Sequence, residues 1–152
     1  MAREIHLIVV GKLKDTNLEA IEQEFTKRIR DPLFQLHEVK AHAEFPEKEA
    51  DEILNKIKEL KKEKFPLILM DEAGKTFTSS EFSSWLFEQV ETHSTLIFAI
   101  GGALGHAESL KKKAHKKLSL SPLTFPHKLA RIILIEQLYR AITIKSGHPY
   151  HH

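Results

Sequence analysis

Three segments of this 152-residue chain set backbone-exposing residues beside apolar ones and carry almost no charge. The first is Met70-Asp71, closing the continuous apolar run at 66–71. The second is Ile100-Gly101-Gly102, which opens the turn Gly101-Gly102-Ala103-Leu104-Gly105. The third is a Pro-bounded loop of Leu120, Ser121, Pro122, Leu123, Thr124 and Phe125. Gly101, Gly102 and Gly105 let the main chain approach a ligand closely and leave N–H and C=O groups free. Apolar walls with a few main-chain donors and acceptors are a common recipe for a small-molecule pocket. The glycine turn alone is ambiguous. Its spacing is G-G-x-x-G rather than G-x-G-x-x-G, and no P-loop Lys-Ser/Thr follows, so a structural turn and a ligand loop both stand. Beyond the third segment, Glu136, Gln137, Tyr139 and Arg140 interrupt an apolar helix with hydrogen-bonding groups. The tail at 147–152, GHPYHH, adds Tyr150 and His151.

In an open parallel sheet, ligands sit at the C-terminal ends of strands, so these segments need strands behind them. The runs PLILMD (66–71) and TLIFAI (Thr95–Ile100) are continuously apolar, which predicts strands covered on both faces and hence a parallel sheet. A further strand is expected over Glu4–Val10, closed by Gly11. A helix follows from a Thr16/Glu19 capping box to Arg30, with Leu18, Ile21, Phe25 and Ile29 on one face. Asp31-Pro32 breaks it before a strand at 34–39. Pro46 starts a thinly apolar, peripheral helix to about residue 64, with Ile53, Ile57 and Leu60 on one face. Gly74 is expected to turn the chain. Thr78 and Glu81 form a second capping box, before a helix carrying Phe82, Trp85, Leu86 and Val90. A helix at 106–116 and a strand at 117–121 lead to the last helix, 126–144, which starts at Pro126 with Thr124 as its cap. That helix is apolar beyond a single stripe, which predicts burial on two sides. The alternation βαβαβαβαβα predicts one α/β domain over residues 1–152, with a mainly parallel sheet and helices on both faces.

Composition narrows the field further. The formal net charge is +2, compatible with nucleic acid but not diagnostic of it. The lysine clusters at 56–64 and 111–117 read as solvated helix faces. The absence of Cys excludes disulfides, thiolate metal sites and a cysteine nucleophile, and suits a reducing cytoplasm. The N-terminal apolar run falls well short of the roughly 20 residues a membrane span requires, so no membrane partner is expected.

Taken together and in order, IGG-x-x-G, SLS-x-x-TFPH, R-x-x-L-x-EQ-x-YRA and the terminal PYHH resemble the ribosomal RNA large subunit methyltransferase H family of the SPOUT superfamily. The resemblance runs from Gly11 to His151 and is densest after Asp71. It implies a deep trefoil knot in the C-terminal half. It also implies that Met70, Gly101, Gly102, Leu120, Ser121, Pro122, Leu123, Thr124 and Phe125 hold S-adenosylmethionine as methyl donor. The implied reaction is methylation of N3 of a pseudouridine in 23S rRNA on the assembled ribosome, by a homodimer and without a metal. N3–H must lose its proton, so a base or an anion-stabilising group is required. The candidates are Glu136, Arg140, Tyr150 and His151, with His127 beside them. Each also has a plainer reading. Glu136 and Arg140 suit an i,i+4 helix pair, His127 suits a partner for a backbone group, and the tail suits a frayed end. A SPOUT enzyme acting on another RNA such as tRNA, and a non-catalytic nucleotide-binding domain, are the alternative functions.

Overall fold

The computed structural model describes residues 2–152, which form β1 (Glu4–Val10), α1 (Thr16–Thr26), β2 (Leu33–Val39), α2 (Pro46–Glu59), β3 (Leu67–Lys75), α3 (Ser79–His93), β4 (Thr95–Ile100), α4 (Glu108–Lys113), β5 (Lys116–Leu118) and α5 (His127–Ser146). The strands make one sheet in the order β2-β1-β4-β3-β5, and every pairing between them is parallel. The expected alternation and strand direction both hold.

Side chains alternate across each strand, which divides the core in two. Ile5, Leu7, Val9, Leu96, Phe98 and Ile100 meet the apolar faces of α3 and α5, including Leu86, Val90, Leu134, Ile135 and Leu138. Ile8, Val10, Ile97 and Ala99 meet Ala50, Ile53 and Ile57 of α2, and Leu110 of α4. α2 is therefore not peripheral. Its few apolar residues are spaced to cover one face of the sheet, and Ile53 is 1% exposed.

Three local expectations are corrected by hydrogen bonding. α1 is capped by Asp15, whose carboxylate accepts from the N–H groups of Asn17 and Leu18, and the helix ends at Thr26. α5 begins after Pro126 with no side-chain cap, because the Thr124 hydroxyl donates to Glu72 instead. Gly74 does not turn the chain. It lies inside β3, where an added Cβ would stand 2.6 Å from the Lys117 carbonyl carbon, so only glycine admits this close strand approach. The pairing of β3 with β5 shifts register between Met70 and Lys75 at the same place. The Thr78/Glu81 capping box of α3 has both of its hydrogen bonds.

The last helix is buried on two sides by its own chain. Ser83 donates to the Ala141 carbonyl at 2.7 Å from the α3 side. From the α1 and β2 side, Arg131 makes a buried ion pair to Glu22 and a second pair, at 2.8 Å, to the solvent-accessible Glu38. Arg131 thus ties three elements together. Among the described residues no helix is long and apolar enough to cross a membrane.

Candidate functional site

The ends of β3 and β4 and the loop after β5 converge on a cavity of about 370 Å³. Met70, Gly101, Gly102, Leu120, Ser121, Leu123, Thr124 and Phe125 all line it, as do Asp71, Gly105 and His127. Pro122 is exposed and stands outside the lining. The loop is shaped by its own serines. The Ser119 hydroxyl donates to the Ser121 carbonyl at 2.8 Å, and the Ser121 hydroxyl accepts from the Leu123 N–H at 3.0 Å. These short-range bonds occupy the side chains and leave mostly main chain and hydrocarbon facing the cavity.

The glycine turn is held from behind. Gly105 N–H donates to the Gly102 carbonyl at 3.0 Å, and Gly105 adopts φ +75°. A Cβ on Gly101 would meet the Gly105 carbonyl carbon at 3.0 Å, and one on Gly102 would meet the Glu49 carboxylate at 2.8 Å. Glu49 is 4% exposed, and its carboxylate accepts from the His42 N–H at 2.9 Å. His106 Nε2 lies 3.2 Å from the Ala99 carbonyl, which can only accept, so this nitrogen carries the hydrogen. Burial holds the His106 imidazole below its ordinary pKa and therefore neutral.

Few net charges face the cavity. Asp71 is held below the usual carboxylate range, first by the Ala73 N–H and then by Lys111, whose Nζ lies 3.5 Å away. Lys111, Glu72, Leu104 and His106 also line the cavity, and sequence reasoning missed all of them. Only the strand-to-helix packing brings Lys111 back to Asp71, and no spacing in the sequence signals that pairing.

Glu136, Arg140, Tyr150 and His151 form one cluster, but none of them lines this cavity. The chain reverses at Gly147, in the left-handed region at φ +76°, and returns the tail to α5. Tyr150 packs edge-on against Tyr139 with ring centroids 4.8 Å apart and donates from its hydroxyl to Glu136 Oε1 at 3.1 Å. Arg140 Nε donates to the same oxygen at 2.8 Å, and Gln137 Nε2 donates to Glu136 Oε2 at 3.0 Å. Arg140 Nη1 lies 3.0 Å from His151 Nδ1. A guanidinium cannot accept, so His151 Nδ1 accepts through its lone pair in this arrangement. The Glu136 contacts raise the Arg140 pKa, so its charge is permanent. Burial, followed by the Glu136 charge, raises the Tyr150 pKa, so it is a phenol at neutral pH. The i,i+4 reading of Glu136 and Arg140 is therefore correct in geometry, yet the tail builds further on it. From Ala130, the last cavity-lining residue on α5, Glu136 lies about 9 Å along the helix axis at 1.5 Å per residue.

A family model described as "Predicted SPOUT methyltransferase" matches residues 3–151. The chain belongs to the SPOUT methyltransferase family. It is 39% identical to the ribosomal RNA large subunit methyltransferase H of Flavobacterium psychrophilum, over 97% of this chain and 98% of that protein. It is 40% identical to the protein of the same name from Streptococcus pneumoniae, over 97% of this chain and 99% of that one. The family implies a methyl donor, and the cavity has the build of a small-molecule site. Its volume falls in the range of about 300–1,000 Å³ typical of small-ligand sites. Gly101 and Gly102 leave a cradle of open main chain that no side chain could share with Gly105 and Glu49.

Proposed function

We propose that this protein is an S-adenosylmethionine-dependent ribosomal RNA methyltransferase acting at N3 of a pseudouridine in the large subunit. The observation that carries the reading is the cavity of main-chain and apolar groups at three strand ends, within a chain that belongs to a methyltransferase family over nearly its whole length. The names of its relatives specify the substrate class. The methyl donor supplies an electrophilic carbon, so no metal and no covalent enzyme intermediate is required. Met70, Gly101, Gly102, Leu120, Leu123 and Phe125 would hold and orient it, in loops for which the resemblance implies a trefoil knot. Well-oriented partners can gain about 7 kcal/mol from proximity alone.

The C-terminal cluster handles the target base. Glu136 already accepts from Arg140, Tyr150 and Gln137, so it orients Arg140 and Tyr150 rather than taking a proton. Arg140, and the Tyr150 hydroxyl once its single hydrogen turns from Glu136 to the substrate, stabilise the negative charge that develops on the imide. As Arg140 turns from His151 to the substrate, His151 Nδ1 is freed to accept the N3 proton.

Because this cluster does not line its own chain's cavity, the complete site is assigned to a homodimer in which one subunit's tail meets the other's methyl donor. Leu104 and Leu123, 61% and 72% exposed on the cavity rim, and Leu129, 44% exposed at the start of α5, supply an apolar surface for the contact. The test is radiolabelled methyl transfer to ribosomes from a strain lacking the modification, compared with free rRNA and tRNA. Label in ribosomes is expected; label confined to tRNA overturns the substrate. S-adenosylhomocysteine should bind at equilibrium, and a protein that binds ATP but not S-adenosylhomocysteine overturns the family chemistry.

A further inference from the structure

The lysines at 111–117 do not form one solvated helix face. Lys111, Lys112 and Lys113 end the short helix α4, whereas Lys116 and Lys117 lie on β5, the edge strand of the sheet. Lys111 is neutralised by Asp71 and Glu108, at 3.5 and 3.4 Å. Lys112, Lys113 and Lys117 are exposed, and among the described residues they make no ion pair. Across the same edge, the ammonium groups of Lys75 and Lys116 lie 4.9 and 5.6 Å from the centroid of a single ring, Phe77. Lys116 also lies 5.4 Å from the Trp85 ring. Neither lysine makes an ion pair among the described residues.

The acids near this edge have other partners. Asp71 takes the Ala73 N–H and Lys111, Glu108 takes Lys111, and Glu81 takes the Thr78 N–H. Five lysines on β3, β5 and the end of α4 therefore make no close ion pair, although Lys117 acts at longer range on Asp71 and Lys75 on Glu81, in a chain whose formal net charge is only +2. Two of them share one aromatic ring. Charges of one sign gathered on one surface repel one another, and a bound polyanion relieves the repulsion. Lysines on an edge strand also discourage strand pairing, but that role does not require their extension into α4 or the pairing of Lys75 with Lys116 over one ring.

We propose that this lysine edge seats the phosphate backbone of the RNA substrate beside the methyl-donor cavity. Lys111, which lines the cavity, joins the two surfaces. The proposal rests on the ribosomal RNA reading above. A row of unpaired ammonium groups binds polyanions by releasing condensed counterions, with a salt slope of about 0.7–0.9 per phosphate neutralised. The Phe77 and Trp85 rings hold two of the charges in place before RNA arrives.

The test measures binding of the full chain to large ribosomal subunits lacking the modification, as log Kd against log salt. The variant carries Lys112→Gln, Lys113→Gln and Lys117→Gln. A control carries Lys40→Gln and Lys58→Gln, exposed positions at the end of β2, on the opposite edge, and on α2. The edge variant should lose about 2–3 from the salt slope and at least about tenfold in ribosome affinity. Its S-adenosylhomocysteine affinity and Tm should be unchanged, and the control should match wild type. A second variant, Lys75→Gln with Lys116→Gln, should lose about 2 from the slope. Wild-type slopes in both edge variants, with wild-type protein methylating ribosomes, overturn the surface alone. Wild-type protein that neither binds nor methylates ribosomes overturns the ribosomal RNA reading, and this surface with it.

Discussion

At the scale of single residues, the C-terminal cluster separates holding from reacting. Glu136 accepts from three donors, whereas the Tyr150 hydroxyl lies between Glu136 and Arg140 and His151 Nδ1 meets Arg140. Tyr150→Phe and Arg140→Ala should each lower kcat by about 10²–10³, the loss expected for an anion-stabilising donor. S-adenosylhomocysteine affinity should stay unchanged, since neither residue lines the cavity. Equal losses in cofactor affinity would overturn that division. A second residue-level prediction concerns His6 and His37, stacked rings whose Nδ1 and Nε2 atoms lie 2.9 Å apart between β1 and β2. Burial is the first cause holding both pKa values below the ordinary histidine value, outweighing the pull of Glu4 on His6. The unfolded chain therefore takes up protons near pH 6.5 that the folded chain resists. The pair costs nothing above that pH, and stability falls as pH drops below it. Glu4 acts lower, because its own depressed pKa stabilises the fold above about 4.5 and loses that effect below. Tm should fall between pH 7.5 and 5.5, and His37→Gln should flatten the slope. An unchanged slope would show that the pair does not set it.

At the scale of elements, two tight contacts position the site. Gly102 and Glu49 couple the glycine turn to α2 with no space for a methyl group. Gly102→Ala should displace the carboxylate or the turn and weaken S-adenosylhomocysteine binding by at least about tenfold, or about 1.4 kcal/mol. Calorimetric titration checks this, with Gly105→Ala as a comparison where open space but a positive φ distinguishes backbone strain from a side-chain clash. Arg131 fastens α5 to α1 and β2 through carboxylates that would be left unpaired without it. Arg131→Ala should cost about 3–5 kcal/mol in denaturant unfolding, as removal of one partner from a buried ion pair does. A loss below about 1 kcal/mol would mean that solvent reaches Glu22.

At the scale of the whole molecule, the cavity and the cluster sit at different places along α5, and the proposed dimer brings one copy's cluster to the other's cavity. Light scattering should give a dimer mass, and Leu123→Glu should weaken the dimer by placing a charge on its apolar surface. The stronger test mixes two inactive proteins. A cavity variant (Gly101→Val) and a tail variant (Tyr150→Phe) should regain activity when co-refolded, because one mixed dimer carries one intact composite site. No regain, with mixed dimers verified by mass, would place the whole site within one chain.

The amino-acid sequence by itself determined the order and direction of the elements. Short continuous apolar runs bounded by turn residues mark strands buried on both faces, and capping boxes such as Thr78 with Glu81 act within a few residues. The residues of the cavity's three segments were also legible, because glycine and proline state where the backbone is exposed. Gly74 was misread because its reason for being glycine is the Lys117 backbone passing against it, more than forty positions later in the chain. The approach of Glu49 to Gly102, the return of Lys111 to Asp71 and the bond from Tyr150 to Glu136 are likewise contacts between segments brought together by the fold, which leave no periodicity and no local spacing. Only the tertiary structure decided them, and with them the separation of cavity from cluster along α5.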